Sequence, residues 1–181
     1  VSVTAPVGGW NTRDALDAMK PTDATRLDNW FPDVEKVKLR KGYESHLSGL
    51  ASTVETLAEY NGTSRHLIAA AGATVYNATS AATSIGTGFT NARWQTANFG
   101  NRLFMVNGED APQDWDGSTL SATSWSGSGL TIANLIGAHG FKNRLFFWEE
   151  GSQDFWYAAI NAVTGTLTKF PLSGVTRAGG T

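Results

Sequence analysis

The sequence contains no cysteine, so it has no disulfide framework and no thiolate metal site. No run of about eighteen apolar residues occurs, so no transmembrane helix is expected. No long stretch carries the 3.6-residue apolar period of an amphipathic helix. No charge sign dominates: the formal net charge is −2, which argues against a general nucleic-acid binder with a basic face. The opening Val1-Ser2-Val3-Thr4-Ala5-Pro6 lacks the basic start and apolar core of a secretory signal. There is no initiator Met, and processing or a numbering offset is the expected reason.

Glycine is abundant, Ser and Thr are frequent, and apolar content is ordinary, a balance that suits an all-β protein with many turns. A pattern recurs within it. Asn101-Arg102-Leu103-Phe104 returns as Asn143-Arg144-Leu145-Phe146, with a weaker echo at Ser64-Arg65-His66-Leu67. Eight residues before each Arg stands an apolar residue: Leu57, Trp94 and Ile136. Eleven to thirteen residues after it stands an aromatic: Tyr76, Trp115 and Trp156. Each copy closes on a Gly-apolar-Thr step, at Gly88-Phe89-Thr90, Gly129-Leu130-Thr131 and Gly174-Val175-Thr176. A repeat of about forty residues holding several short strands is the signature of a β-propeller blade. Strands are expected from Val54 to Tyr60, Arg65 to Ala71, Thr74 to Asn77, Arg93 to Phe99 and Arg102 to Val106, with the third copy running from Ile132 through Phe146-Phe147-Trp148 to Phe155-Trp156-Tyr157. Turns fall at Asn61-Gly62, Asn107-Gly108 and Asp116-Gly117. Trp94, Phe104, Trp115, Phe146 and Trp156 are expected in the core between blades. The repeated Arg is expected to pair with a neighbouring blade or lie along its surface. Three copies do not close a ring of four to eight blades, so the chain is expected to be part of a longer protein.

Residues 1–45 differ from the rest. About half of all charged side chains lie there, with acids and bases balanced. Pro21-Thr22-Asp23-Ala24 reads as a helix start, and Pro32 as the stop of the short helix that follows. Val37 and Leu39 alternate with Lys36, Lys38 and Arg40, a period-two strand with a basic outer face. The expected organisation is an irregular arm with a short helix and a first strand at 1–45, then the first blades of an all-β partial propeller at 46–181. Such arms gain their order at an interface. Trp10, Arg13, Asp14, Trp30, Phe31, Lys36, Lys38 and Arg40 are the candidate contact residues.

The arm also carries an ordered set of short motifs. Pro6-Val7-Gly8-Gly9-Trp10-Asn11-Thr12-Arg13-Asp14 is followed by Met19-Lys20-Pro21-Thr22-Asp23-Ala24, then Leu27-Asp28-Asn29-Trp30-Phe31-Pro32 and Leu39-Arg40-Lys41-Gly42-Tyr43. With Phe104-Met105-Val106-Asn107-Gly108 and Asp114-Trp115-Asp116-Gly117, this order resembles the tail nozzle proteins of short-tailed bacteriophages, also called tail tubular protein B or the tail hub. The resemblance implies a virion structural protein, made in the bacterial cytoplasm and resident in the phage tail. Its subunits would form a ring, usually of six, below the portal and its adaptor. The ring would dock tail fibres or spikes and enclose double-stranded DNA without binding it specifically. No catalytic residue and no cofactor is implied. A carbohydrate- or protein-binding propeller is the alternative, and a propeller glycosidase a more distant one.

Other chemistry finds little footing. His46, His66 and His139 lack zinc-helix spacing. Glu109, Asp110, Asp114 and Asp116 form one acidic cluster, and Glu149, Glu150 and Asp154 another. Neither has a calcium loop's spacing, and Asp is favoured at hairpin turns for its local hydrogen bonds. Phosphate-binding glycine loops and Gly-x-Ser-x-Gly are absent.

Overall fold

A computed structural model describes residues 4–175. Among these the protein is all-β, with short 3₁₀ turns and no α-helix. The chain divides into two compact units, Val1–His46 and Leu47–Thr181.

Among its described residues the first unit holds four very short strands. β1 (Gly9–Trp10) pairs in parallel with β2 (Asp23–Ala24), and β3 (Trp30–Pro32) pairs antiparallel with β4 (Val37–Leu39). The helix expected from Pro21 toward Pro32 does not form. Asp23 and Ala24 are extended instead, because their backbone groups find partners across the chain at Gly9 and Trp10. Gly8 N–H donates to Thr22 O at 2.8 Å, and Asn11 N–H to Ala24 O at 2.9 Å. Gly8 must lack a side chain, since a Cβ there would overlap the Asp23 carboxylate. A cap signal is local, and these non-local bonds override it.

The second unit is built of four-stranded antiparallel sheets, each a meander in chain order. The first is β5 (Val54–Asn61), β6 (Arg65–Ala71), β7 (Thr74–Asn77) and β8 (Thr83–Thr87). The second is β9 (Gln95–Phe99), β10 (Arg102–Val106), β11 (Gln113–Trp115) and β12 (Leu120–Ala122). After β13 (Trp125–Ser126), the third runs β14 (Leu135–Phe141), β15 (Arg144–Glu149), β16 (Phe155–Tyr157), and then, past β17 (Gly165–Thr166), β18 (Thr168–Phe170). β13 and β17 make a short parallel bridge.

Alternation along β10 decides the packing. Leu103 and Met105 point to the first sheet and join Tyr60, Ile68, Val75 and Trp115 in one core. Phe104 and Val106 point to the third and join Leu145, Phe147 and Trp156 in another. The middle sheet is therefore buried on both faces, which is why β10 reads as a continuous apolar run. Trp125 fills the space between the second and third sheets, its ring 6.0 Å from Phe104 and 5.7 Å from Phe147. The sheets do not close into a barrel or ring among the described residues.

The repeat is real in the second and third sheets and slips in the first. Arg102 and Arg144 each follow a two-residue hairpin loop, Gly100-Asn101 or Lys142-Asn143, with every φ in it positive. Both Arg side chains sit on the face turned away from the preceding sheet. In the first sheet Asn61 pairs with Arg65 across a loop of three residues, 62–64. The extra residue shifts the period-two phase. His66 thus takes the place that Arg102 and Arg144 hold, while Arg65 lies on the opposite face.

The Arg residues also pair within their own sheets rather than with a neighbouring one. Arg102 binds Asp114, Arg144 Nη1 donates to Ala158 O at 2.8 Å, and Arg65 Nε is 3.4 Å from Glu59 Oε1. The apolar position eight residues upstream is not one environment either: Trp94 is in the core and Leu57 is exposed. Trp94, Phe104, Trp115 and Trp156 are buried as expected. Phe146 is not, because it faces away from the second sheet with His139, Trp148 and Tyr157.

Candidate assembly surfaces

The first unit has almost no interior. Among its described residues only Gly9 is buried. Trp10 is 70% exposed, Phe31 58% and Trp30 47%, and Leu16, Val34, Leu39 and Tyr43 are exposed with them. Hydrogen bonds set its shape. Asn11 Oδ1 accepts the amides of Arg13 and Asp14, while its Nδ2 donates to Asp14 at 2.9 Å and Asp23 at 2.8 Å. Trp10 donates its indole N–H to Thr25 O at 3.0 Å. The Asn11 amide, then the Arg13 guanidinium, hold the Asp14 carboxyl below its usual range.

The eight candidate contact residues fall in three places. Trp10, Arg13 and Asp14 belong to the loop around β1. Trp30 and Lys36 border a groove of about 550 Å³ whose other walls include Ala5, Pro6, Arg26 and Leu27. Phe31 stands opposite Lys38 across the β3–β4 hairpin, and Lys38 Nζ is 2.6 Å from Asp33. That contact, with the Val34 amide, lowers the Asp33 pKa. Arg40, whose amide donates to Asn29 O at 2.6 Å, lines a second cavity of about 730 Å³ beside Lys41 and Tyr43. Of Lys36, Lys38 and Arg40 only Lys38 lies within β4, so the basic outer face is a hairpin rim rather than a strand face.

A second surface was not legible as such. The outward face of the third sheet presents Phe141, Phe146, Trp148, Phe155, Tyr157 and Phe170. Phe155 and Phe170 stack at 4.7 Å, and Phe146 lies 6.0 Å from Phe155 and 6.2 Å from Tyr157. Arg144 covers one side of Tyr157 at 5.5 Å. The signal was present: β15 carries large apolar residues at both parities, the pattern that β10 also shows. In β10 both faces are covered by sheets, whereas Trp148 and Phe141 remain 41% and 57% exposed.

The acidic clusters have structural partners. Asp110 Oδ1 accepts the Thr90 hydroxyl at 2.8 Å, and its Oδ2 accepts the Thr90 amide at 2.9 Å and Asn107 Nδ2 at 2.6 Å. Burial raises the Asp110 pKa, but the bonds from Asn107 and Thr90 outweigh it, and the net shift is downward. Glu149 does the same one sheet later, accepting the Thr131 amide at 3.1 Å. The repeated Gly-apolar-Thr step is thus clasped by a carboxylate near the end of the next sheet's second strand. Its third copy ends at Thr176, outside the described residues. Asp116 is held low by the amides of Thr119 and Ser118, and Asp154 pairs with Lys169 at 2.7 Å. No group of three potential metal ligands occurs among the described residues.

A Ser–His contact lies at the start of the second strand of the first sheet. Ser64 Oγ is 2.8 Å from His66 Nε2. The Thr79 amide donates to Asn77 Oδ1, so Asn77 Nδ2 faces His66 Nδ1 at 3.2 Å and donates to it. His66 Nδ1 is then the acceptor and Nε2 carries the proton toward Ser64. In that tautomer His66 cannot take a proton from Ser64, so the pair is not poised for nucleophilic attack.

No protein-family model matches the chain, and no curated protein matches it.

Proposed function

We propose that this chain is a structural subunit of a bacteriophage tail nozzle, and that its sheets are successive blades of a β-propeller. The ordered motifs of the arm and early repeats support the family reading. The stacking of like four-stranded sheets in chain order supports the propeller, because each sheet covers one face of the next and leaves an aromatic face open after the third. The open face matches what a further blade covers.

The observation that carries the assembly role is the first unit. It exposes large apolar side chains and buries nothing beyond Gly9 among its described residues, the profile of a segment that completes its packing on a partner. Subunits of the ring, portal or adaptor proteins and tail fibres or spikes are the partners of this reading. Duplex DNA passes through the lumen without being gripped, consistent with a formal charge of −2.

Electron microscopy of the full chain tests the proposal. Rings are expected, and Trp30→Ser with Phe31→Ser should abolish them while leaving the β signal in circular dichroism intact. A chain that stays monomeric at every concentration tried overturns the nozzle reading. Rings that survive the double substitution remove the arm from it.

A further inference from the structure

We infer that the free edge of β4 in the first unit is a docking site for an antiparallel strand of a partner polypeptide in which acidic and apolar residues alternate. The inference rests on the assembly role proposed for this unit and names the chemistry of its partner. β4 pairs with β3 on one side, and no other strand of the described residues pairs with it. The register shows which backbone groups are left. Asp33 N–H donates to Lys36 O at 2.7 Å and Arg40 N–H to Asn29 O at 2.6 Å, so these two pairs, with Phe31 and Lys38 between them, are the hydrogen-bonded pairs of the hairpin. Val37 and Leu39 therefore turn N–H and C=O outward, at the spacing of a ladder. The other edge of the hairpin is poorer. Its outward residues are Trp30 and Pro32, and Pro32 has no N–H.

The side chains select the strand. Trp30 stands opposite Leu39 and Pro32 opposite Val37, so one face of the hairpin is apolar, with Trp30 and Leu39 exposed on it. Lys38 stands opposite Phe31 on the other face, and Lys36 and Arg40 share its parity. Lys38 holds Asp33, while Lys36 and Arg40 form no ion pair with any described residue. A strand added to β4 lays its own residues beside these two rows. Apolar residues extend the first, carboxylates meet the second, and opposite charges across neighbouring strands attract. A second copy of β4 does not fit. Antiparallel self-pairing sets its bases against bases in one phase, and against Val37 and Leu39 in the other. Lysines on a strand edge oppose self-association in this way, and the same lysines admit an acidic strand. In strand addition, backbone bonds supply the attachment and alternate side chains the specificity.

The test is a proton–nitrogen NMR titration of the full chain with a capped heptapeptide in which Glu alternates with Val or Leu. Comparators are the same residues with the acids gathered in one block, and the alternating peptide with Lys for Glu. The Val37 and Leu39 amides should shift saturably and exchange more slowly with solvent, while the Lys38 amide, already paired with Phe31, keeps its exchange rate. In the antiparallel register the peptide's apolar residues turn their N–H groups to β4. N-methylation of those residues should abolish binding, and N-methylation of the acidic ones should not. Lys36→Glu with Lys38→Glu and Arg40→Glu should weaken binding about ten-fold or more. Leu39→Pro removes one outward N–H and keeps the hairpin's own bonds, so it should weaken binding about five-fold with β3 resonances in place. No saturable shift at Val37 and Leu39 overturns the inference. So does equal binding of either comparator, or binding that survives the apolar N-methyl groups or the charge reversal. A chain that forms rings but does not bind the peptide overturns this inference and keeps the nozzle reading; a monomeric chain that binds it does the reverse.

Discussion

Tryptophan is mostly buried in one unit and exposed in the other. In the second, Trp94, Trp115, Trp125 and Trp156 are buried between stacked sheets and only Trp148, on the open face of the third sheet, is exposed; in the first, both Trp10 and Trp30 are exposed. The side chain is the same, so the difference lies in what surrounds it. Sheets of four paired strands offer a continuous face to pack on. Strand pairs of two or three residues do not, and an isolated hairpin is at best marginally stable in water. One unit is held by apolar burial, the other by turns and side-chain hydrogen bonds.

The comparison breaks most directly by truncation. Phe104→Ala should cost about 3–5 kcal/mol in a denaturant titration, because a cavity opens between the second and third sheets. Trp30→Ala should cost under about 1 kcal/mol, as surface changes do. Similar values for the two would mean that the first unit has an interior after all.

The repeated arginines sharpen it next. Asp114 keeps only 8% of its side chain exposed beside Arg102, whereas Arg65 opposite Glu59 is 78% exposed. A double-mutant cycle on Arg102 and Asp114 should give a coupling of about 2–3 kcal/mol, since losing one partner strands a buried charge. The Arg65–Glu59 cycle should give about 0–0.5 kcal/mol. Equal couplings would show that burial does not separate these copies.

Acid should separate the units more gently. The Asp110 pKa is depressed in the folded state, so its contribution is present above the unfolded value and lost as pH falls below about 4. Asp110→Asn should therefore flatten the acid limb of the stability curve, in high salt as in low, because its partners are neutral donors. Asp33 owes its shift chiefly to Lys38 at the surface. Any effect of Asp33→Asn should vanish by about 0.5 M salt, where exposed charges are screened. A salt-independent Asp33 effect would reveal a protected pair in the first unit.

The smallest effect sits inside the ordered unit. Lys142 occupies a left-handed position, φ 44°, where its counterpart in the second sheet is Gly100. Lys142→Gly should stabilise by about 0.5–1 kcal/mol by relieving the Cβ clash. A loss would mean that Lys142, 5.5 Å from the Phe141 ring, contributes more through that contact than its backbone costs.

Much of the second unit was legible because strands announce themselves locally. Arg65 to Ala71, Thr74 to Asn77 and Arg102 to Val106 have the bounds that alternation and glycine turns marked. The Gly-apolar-Thr steps were visible as spacing, but not the carboxylates that clasp them, since Asp110 and Glu149 lie twenty and eighteen residues away in sequence. The helix at Pro21 was misread for the same reason, its backbone partner lying at Gly9.

The sequence by itself determined the all-β character, the strand period and the repeat of the second and third sheets, because propensity, alternation and turn chemistry act over a few residues. Only the tertiary structure decided which face of each strand is covered. That choice turned Arg65 away from the place Arg102 and Arg144 share, through one extra residue in a hairpin loop. It also left Phe146 only partly buried while Phe104 became core. Burial is a property of the neighbour as much as of the residue, and the neighbour is set by stacking that no local pattern encodes.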